Sequence, residues 1–137
     1  MPPELLRAVE TKAWLKKALE DLKAAGSLLR SGGEFSGTVS FHAQQAAEKA
    51  LKAFLVWHDR EFRRTHDLAE LGQLCAAADS SMENLCRRAD DLSAYAWVFR
   101  YPGDVQEPSD EDAGQALALA REVYEAVLAR LPAEARP

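Results

Sequence analysis

Three places on this chain carry residue types that can do chemistry. The first lies within Ser40 to His58, SFHAQQAAEKALKAFLVWH, which holds His42, Gln44, Gln45, Glu48, Lys49 and Lys52. On a helix, Gln45, Lys49 and Lys52 fall near one face at steps of four and three, with His42 and Glu48 flanking them. This set reads either as a solvated face with a Glu48–Lys52 pair or as a polar groove or interface. In the second reading His42, Gln45 and Lys52 are the groove or interface candidates.

The second place is His66-Asp67, preceded by Arg60, Arg63 and Arg64. Imidazoles titrate near neutrality, so a histidine here can act as a general base or contact a phosphate. A basic cluster followed by a histidine can hold a phosphate. Asp59 and Glu61 dilute its charge, and a simple helix cap also accounts for His66-Asp67. The third place is Arg100-Tyr101-Pro102. Proline explains a helix stop there and arginine suits a helix C-terminus. The other reading sets a cation and a phenol at the mouth of a bundle.

Other chemistries find no support. His42 and His58 are too far apart on one helix to share a metal, and no Glu-x-x-His or His-x-x-x-His pair exists, so no metal site is expected. Gly32-Gly33 reads as a helix stop and not as a phosphate loop, and no nucleophile elbow is present; no cofactor is expected. Cys75 and Cys86 lack metal-ligand spacing and read as small core hydrophobes. A formal charge of −5 argues against sequence-blind nucleic-acid binding by counterion release, though not against a local basic patch. No run is long enough to cross a bilayer, and Met1 to Glu10 shows no signal-peptide pattern. The expected location is the cytoplasm.

The elements that must position these residues are helical. The chain has 137 residues, 47% hydrophobic and 28% charged, which is the size of one domain spanning 1–137. Ala, Leu, Glu, Lys and Arg dominate, and they favour helix. Trp14, Ala18, Leu22, Ala25 and Leu29 form the stripe of a first helix from about Arg7 or Thr11 to Leu29. A second runs from Ser36 or Thr38 to Trp57, with Ala43, Ala47, Ala50 and Phe54 in one row. Its alanines allow close neighbours on more than one side. Asp67 to Ala78 reads as a short helix opened by an Asp67–Glu70 capping pair. Ser80 and Glu83 read as the capping box of a fourth helix, with Leu85, Ala89, Leu92, Ala96 and Phe99 inward. Ser109 and Asp112 open a fifth, with Ala113, Leu117, Ala120, Tyr124, Val127 and Leu131 inward. Pro132 to Pro137 reads as a frayed tail. The expected fold is all-α, an up-and-down four-helix bundle with one additional short helix.

Taken together, these stretches resemble the HEPN family. The resemblance rests on Trp14-Leu15 and Asp21-Leu22, then FHAQQAAEKALKAFL from Phe41 to Leu55, then Thr65-His66-Asp67-Leu68 and Arg100-Tyr101-Pro102. It covers about 8–131. It implies a homodimer with a cleft between subunits, often paired with a small nucleotidyltransferase in toxin–antitoxin-like or two-part systems. It also implies nucleotide or RNA binding, for which Lys49, His66, Arg100 and Tyr101 are the phosphate-contact candidates. Several HEPN lineages are metal-independent ribonucleases that use an arginine, four to six further residues, then a histidine. Here Arg100 has no following histidine, because none occurs after His66. Arg60 and His66 have the right separation but lie between the second and third helices. Three readings follow. One is a non-catalytic binding or partner subunit. Another is an endoribonuclease toxin using His66, Arg60 or Arg100. The last is a homo-oligomeric interaction module with no ligand.

Overall fold

A computed structural model describes residues 1–96, 102 and 107–137. Five α-helices occur among them: α1 Pro3–Arg30, α2 Ser36–Trp57, α3 Leu68–Ala78, α4 Glu83–Ala89 and α5 Asp110–Ala129. No strand occurs among the described residues. The fold is an all-helical bundle, as composition and apolar period imply.

α2 is the central element, packing on α1, α5 and α3. The sequence explains why. Ala43, Ala46, Ala47, Ala50 and Ala53 are all fully buried and let neighbouring backbones come close, while Leu51, Phe54 and Leu55 fill the space between them. α1 and α5 present Leu15, Ala18, Leu22 and Ala25, and Ala113, Leu117, Ala120 and Val127, to the same core. Gly32 and Gly33 end α1 with φ of 96° and 84°, a region that favours glycine. Ser109 caps α5 through the expected box: its Oγ accepts from the Asp112 amide, and Asp112 Oδ2 accepts from the Ser109 amide.

Four expectations need correction. α1 starts at Pro3 rather than at Arg7 or Thr11, because proline is well suited to a first helical turn, where its missing N–H is not needed. The fourth helix is not one continuous element. Asp79, with extended backbone, caps a 3₁₀ turn at Ser80–Met82, then come α4 and a 3₁₀ segment at Asp90–Ala96. Ser93 Oγ donates to Asp90 Oδ1 and accepts from the Leu68 amide, so its side chain competes with regular helix. Phe99, expected to face inward, lies outside the described residues. At α3 the Asp67 carboxylate does cap, accepting from the Ala69 and Glu70 amides. Glu70, however, pairs with Arg63 at 2.6 Å and leaves the box half-formed. The tail is docked rather than frayed: Ala133–Ala135 forms a 3₁₀ turn, Ala135 is fully buried, and Arg136 Nε donates to the Leu131 carbonyl.

Both cysteines are buried, as their reading as core residues requires. A hydrogen bond with the Cys86 thiol, then burial, pushes the Cys75 thiol up. It stays protonated and acts as a small apolar side chain.

His58 closes α2, with its amide bonded to the Phe54 carbonyl. Its ring centroid lies 4.2 Å from that of Phe54, and its Nε2 is buried with no partner among the described residues. Burial lowers its pKa; Asp79 opposes this, and Arg60 and Arg7 reinforce it. The unfolded chain therefore binds a proton more readily than the folded one. Stability should fall as pH drops below the unfolded imidazole value of about 6.5, and the loss levels off below the depressed folded value. Urea midpoints at pH 7.5 and 5.5 check this: the drop should be smaller in His58→Phe than in the parent chain. An equal drop in both would remove His58 from the account.

Candidate functional site

The polar residues of α2 are not a solvated face. They face α1 and the segment before α3, and they converge on two carboxylates. Glu48 is the first. Its side chain is 3% exposed and accepts from three donors: Lys52 Nζ at 2.9 Å on Oε2, and His66 Nδ1 at 2.8 Å and Gln44 Nε2 at 3.1 Å on Oε1. Gln44 also donates to the His66 carbonyl at 3.2 Å, so it holds both the ring's partner and its backbone. Gln45 Nε2 donates to Gln44 Oε1 at 2.7 Å and extends the network outward. The Glu48–Lys52 pair anticipated from its spacing exists, but buried: the Lys52 side chain is 7% exposed. The Lys52 ammonium also sits 5.4 Å from the Trp14 ring and 5.9 Å from the Phe62 ring, which form part of its lid.

Asp21 of α1 is the second carboxylate. His42 Nδ1 lies 2.8 Å from Oδ1 and Lys49 Nζ 2.6 Å from Oδ2. Asp21 and Glu48 thus each hold one lysine and one histidine.

His66 is where this network meets solvent. Its side chain is 59% exposed although its Nδ1 is held by a buried carboxylate. Nε2 has no hydrogen bond to a described residue and is the nitrogen available to a ligand. A carboxylate on one imidazole nitrogen fixes the ring's orientation and leaves the other nitrogen to face a ligand. The site can therefore offer an oriented imidazole as proton acceptor or donor, or as an anion contact.

The residues singled out from the sequence separate clearly. His42 and Lys49 gather on Asp21, and Gln45, Lys52 and His66 belong to the set around Glu48, both on the side of α2 that faces α1 and the α2–α3 connection. Arg60 instead lines an open groove with Arg7, Glu10 and Phe62, and Arg63 is tied to Glu70. Arg100 and Tyr101 lie outside the described residues. Asp21 and Gln44 were not among the site candidates. Gln44 stood in the polar set, and Asp21 stood only in the Asp21-Leu22 piece of the family resemblance, because its partners His42 and Lys49 come from another helix.

The described residues thus form an all-helical bundle with histidine–carboxylate contacts between α1, α2 and the segment before α3. The HEPN domain model matches residues 11–131, and the chain belongs to that family. No curated protein and no solved structure matches it.

Proposed function

We propose that this chain is a nucleotide- or RNA-binding HEPN protein that acts as a non-catalytic partner subunit, as a homodimer, alongside a nucleotidyltransferase. Family membership supports the nucleotide- or RNA-related part. The observation that carries the site is His66, exposed yet held through Nδ1 by buried Glu48. A ring fixed in this way loses little side-chain freedom on meeting a phosphate, which favours binding. Lys49 lies in the same region and contributes a cation while remaining bonded to Asp21. Arg100 and Tyr101 complete the contact set in this reading. The absence of a histidine after His66 favours binding over cleavage by the usual motif.

Calorimetric titration with nucleotides and short RNA tests the site. The parent chain should bind, and His66→Gln should bind about tenfold more weakly, the effect of losing one charge-assisted hydrogen bond. No binding by the parent chain to any nucleotide or RNA overturns the reading. Co-purification with a nucleotidyltransferase encoded beside it tests the partner role.

The His66–Glu48 pair also favours a second reading. An oriented imidazole is what a general base needs, so the chain would be a metal-independent endoribonuclease with His66 as base. RNA cleavage in EDTA that His66→Ala abolishes would establish this, and equal cleavage by the two proteins would reject it.

A further inference from the structure

A second cluster of charge lies apart from the His66 network, between α1 and α5. Lys23 and Arg30 of α1 and Arg121 of α5 line one open groove of about 400 Å3. Its floor is apolar, from Leu22, the backbone of Gly26 and the buried Tyr124. Glu125 is the one acidic residue on its wall. All three cationic side chains are exposed, and none pairs or hydrogen-bonds with a described residue. This contrasts with Lys49 and Lys52, whose ammonium groups are each held by a buried or nearly buried carboxylate.

The cations converge at Gly26. It is buried in the body of α1, where glycine is less favourable than alanine. A methyl group placed on it would lie 3.0 Å from Arg121 Nη2 and 3.3 Å from Arg30 Nη1. Two guanidinium groups from different helices therefore rest against the same bare stretch of backbone, close to each other. Neither pairs with a carboxylate among the described residues. An arrangement of like charges at one point is completed by an anion that can accept from both forks, and phosphate does so with well-matched geometry. The chain's net charge of −5 makes this a local feature and not part of a general basic surface.

We infer that the α1–α5 groove is a phosphate site of its own, bound by Arg30 and Arg121 with Lys23 at the rim. A groove of about 400 Å3 with an apolar floor suits a small phosphorylated molecule such as a nucleoside diphosphate. The inference does not depend on His66.

Inorganic pyrophosphate, ADP and a single-stranded ten-nucleotide RNA should be titrated into the full chain while backbone amide shifts are followed by NMR. Pyrophosphate and ADP should shift amides around Gly26 and Arg121. The double variant Arg30→Gln/Arg121→Gln should weaken ADP at this site at least about tenfold, and His66→Gln should leave it unchanged. Gly26→Ala serves as a control on the fold: it should melt no lower than the parent, because alanine favours helix, and should weaken ADP less than the double variant does, because the exposed guanidinium tips need give only a few tenths of an ångström. Shifts at this groove with neither pyrophosphate nor ADP, or undiminished affinity in the double variant, would overturn the inference. Response to the RNA alone would also overturn it, by making the groove a track for a nucleic-acid backbone.

Discussion

Replacing Glu48 with alanine is expected to cost about 3–5 kcal/mol of stability, read from urea unfolding. An exposed Glu–Lys pair four residues apart contributes only about 0.3–0.5 kcal/mol. This one differs because both side chains are almost wholly buried: Glu48 is 3% and Lys52 7% exposed. Removing the carboxylate strands the Lys52 ammonium beside Trp14 and Phe62, and it also frees His66 and one Gln44 donor. The cost comes mainly from the uncompensated buried charge. The double variant Glu48→Leu/Lys52→Met should therefore recover most of the loss, since apolar residues of similar volume replace a buried pair at little or no cost. His66 would remain unanchored in that protein. It should fold nearly as well as the parent and still bind nucleotide or RNA poorly, which separates the ring's orientation from the stability of the helix behind it. A loss below about 1 kcal/mol for Glu48→Ala would mean that water reaches the pair.

Phe54→Ala should be comparably severe, at about 3–5 kcal/mol, for a different reason. Phe54 is fully buried in the core that α2 shares with its neighbours, and the surrounding residues are largely helical and cannot collapse into the space it leaves. The same change removes the ring on which His58 rests. Phe35 supplies the control: it is 41% exposed just before α2, and Phe35→Ala should cost no more than about 0.5 kcal/mol. Urea unfolding of the two variants should differ in midpoint but not in slope. Similar midpoints would show that α2 is not the centre of the core.

Much of the fold could be read along the chain because it depends on local chemistry. The alanine-rich period of α2, the paired glycines after α1 and the Ser109–Asp112 box each act within a turn or two of helix, and each stands where the spacing put it. The break in the predicted fourth helix was not readable in this way. The hydroxyl that competes there, Ser93 Oγ, accepts from the amide of Leu68, a residue far away in sequence.

The candidate site divides along the same line. Sequence alone determined which residues of α2 are polar, and that Glu48 and Lys52 lie within reach of each other, because spacing on a single helix dictates it. Sequence also identified His66 as a residue able to bind or move a proton. Tertiary structure alone decided that this face is buried, since burial depends on which helices cover α2. It alone paired Asp21 with His42 and Lys49, and Glu48 with His66, because those contacts require the packing of α1 on α2 and the turn after Trp57. In that turn Asp59 adopts φ of 55° and Arg60 bonds back to the Leu55 carbonyl. That return of the chain carries the short stretch before α3 back along α2. His66, separated from Glu48 by the last turns of α2 and a loop, ends 2.8 Å from its carboxylate while its side chain stays 59% exposed.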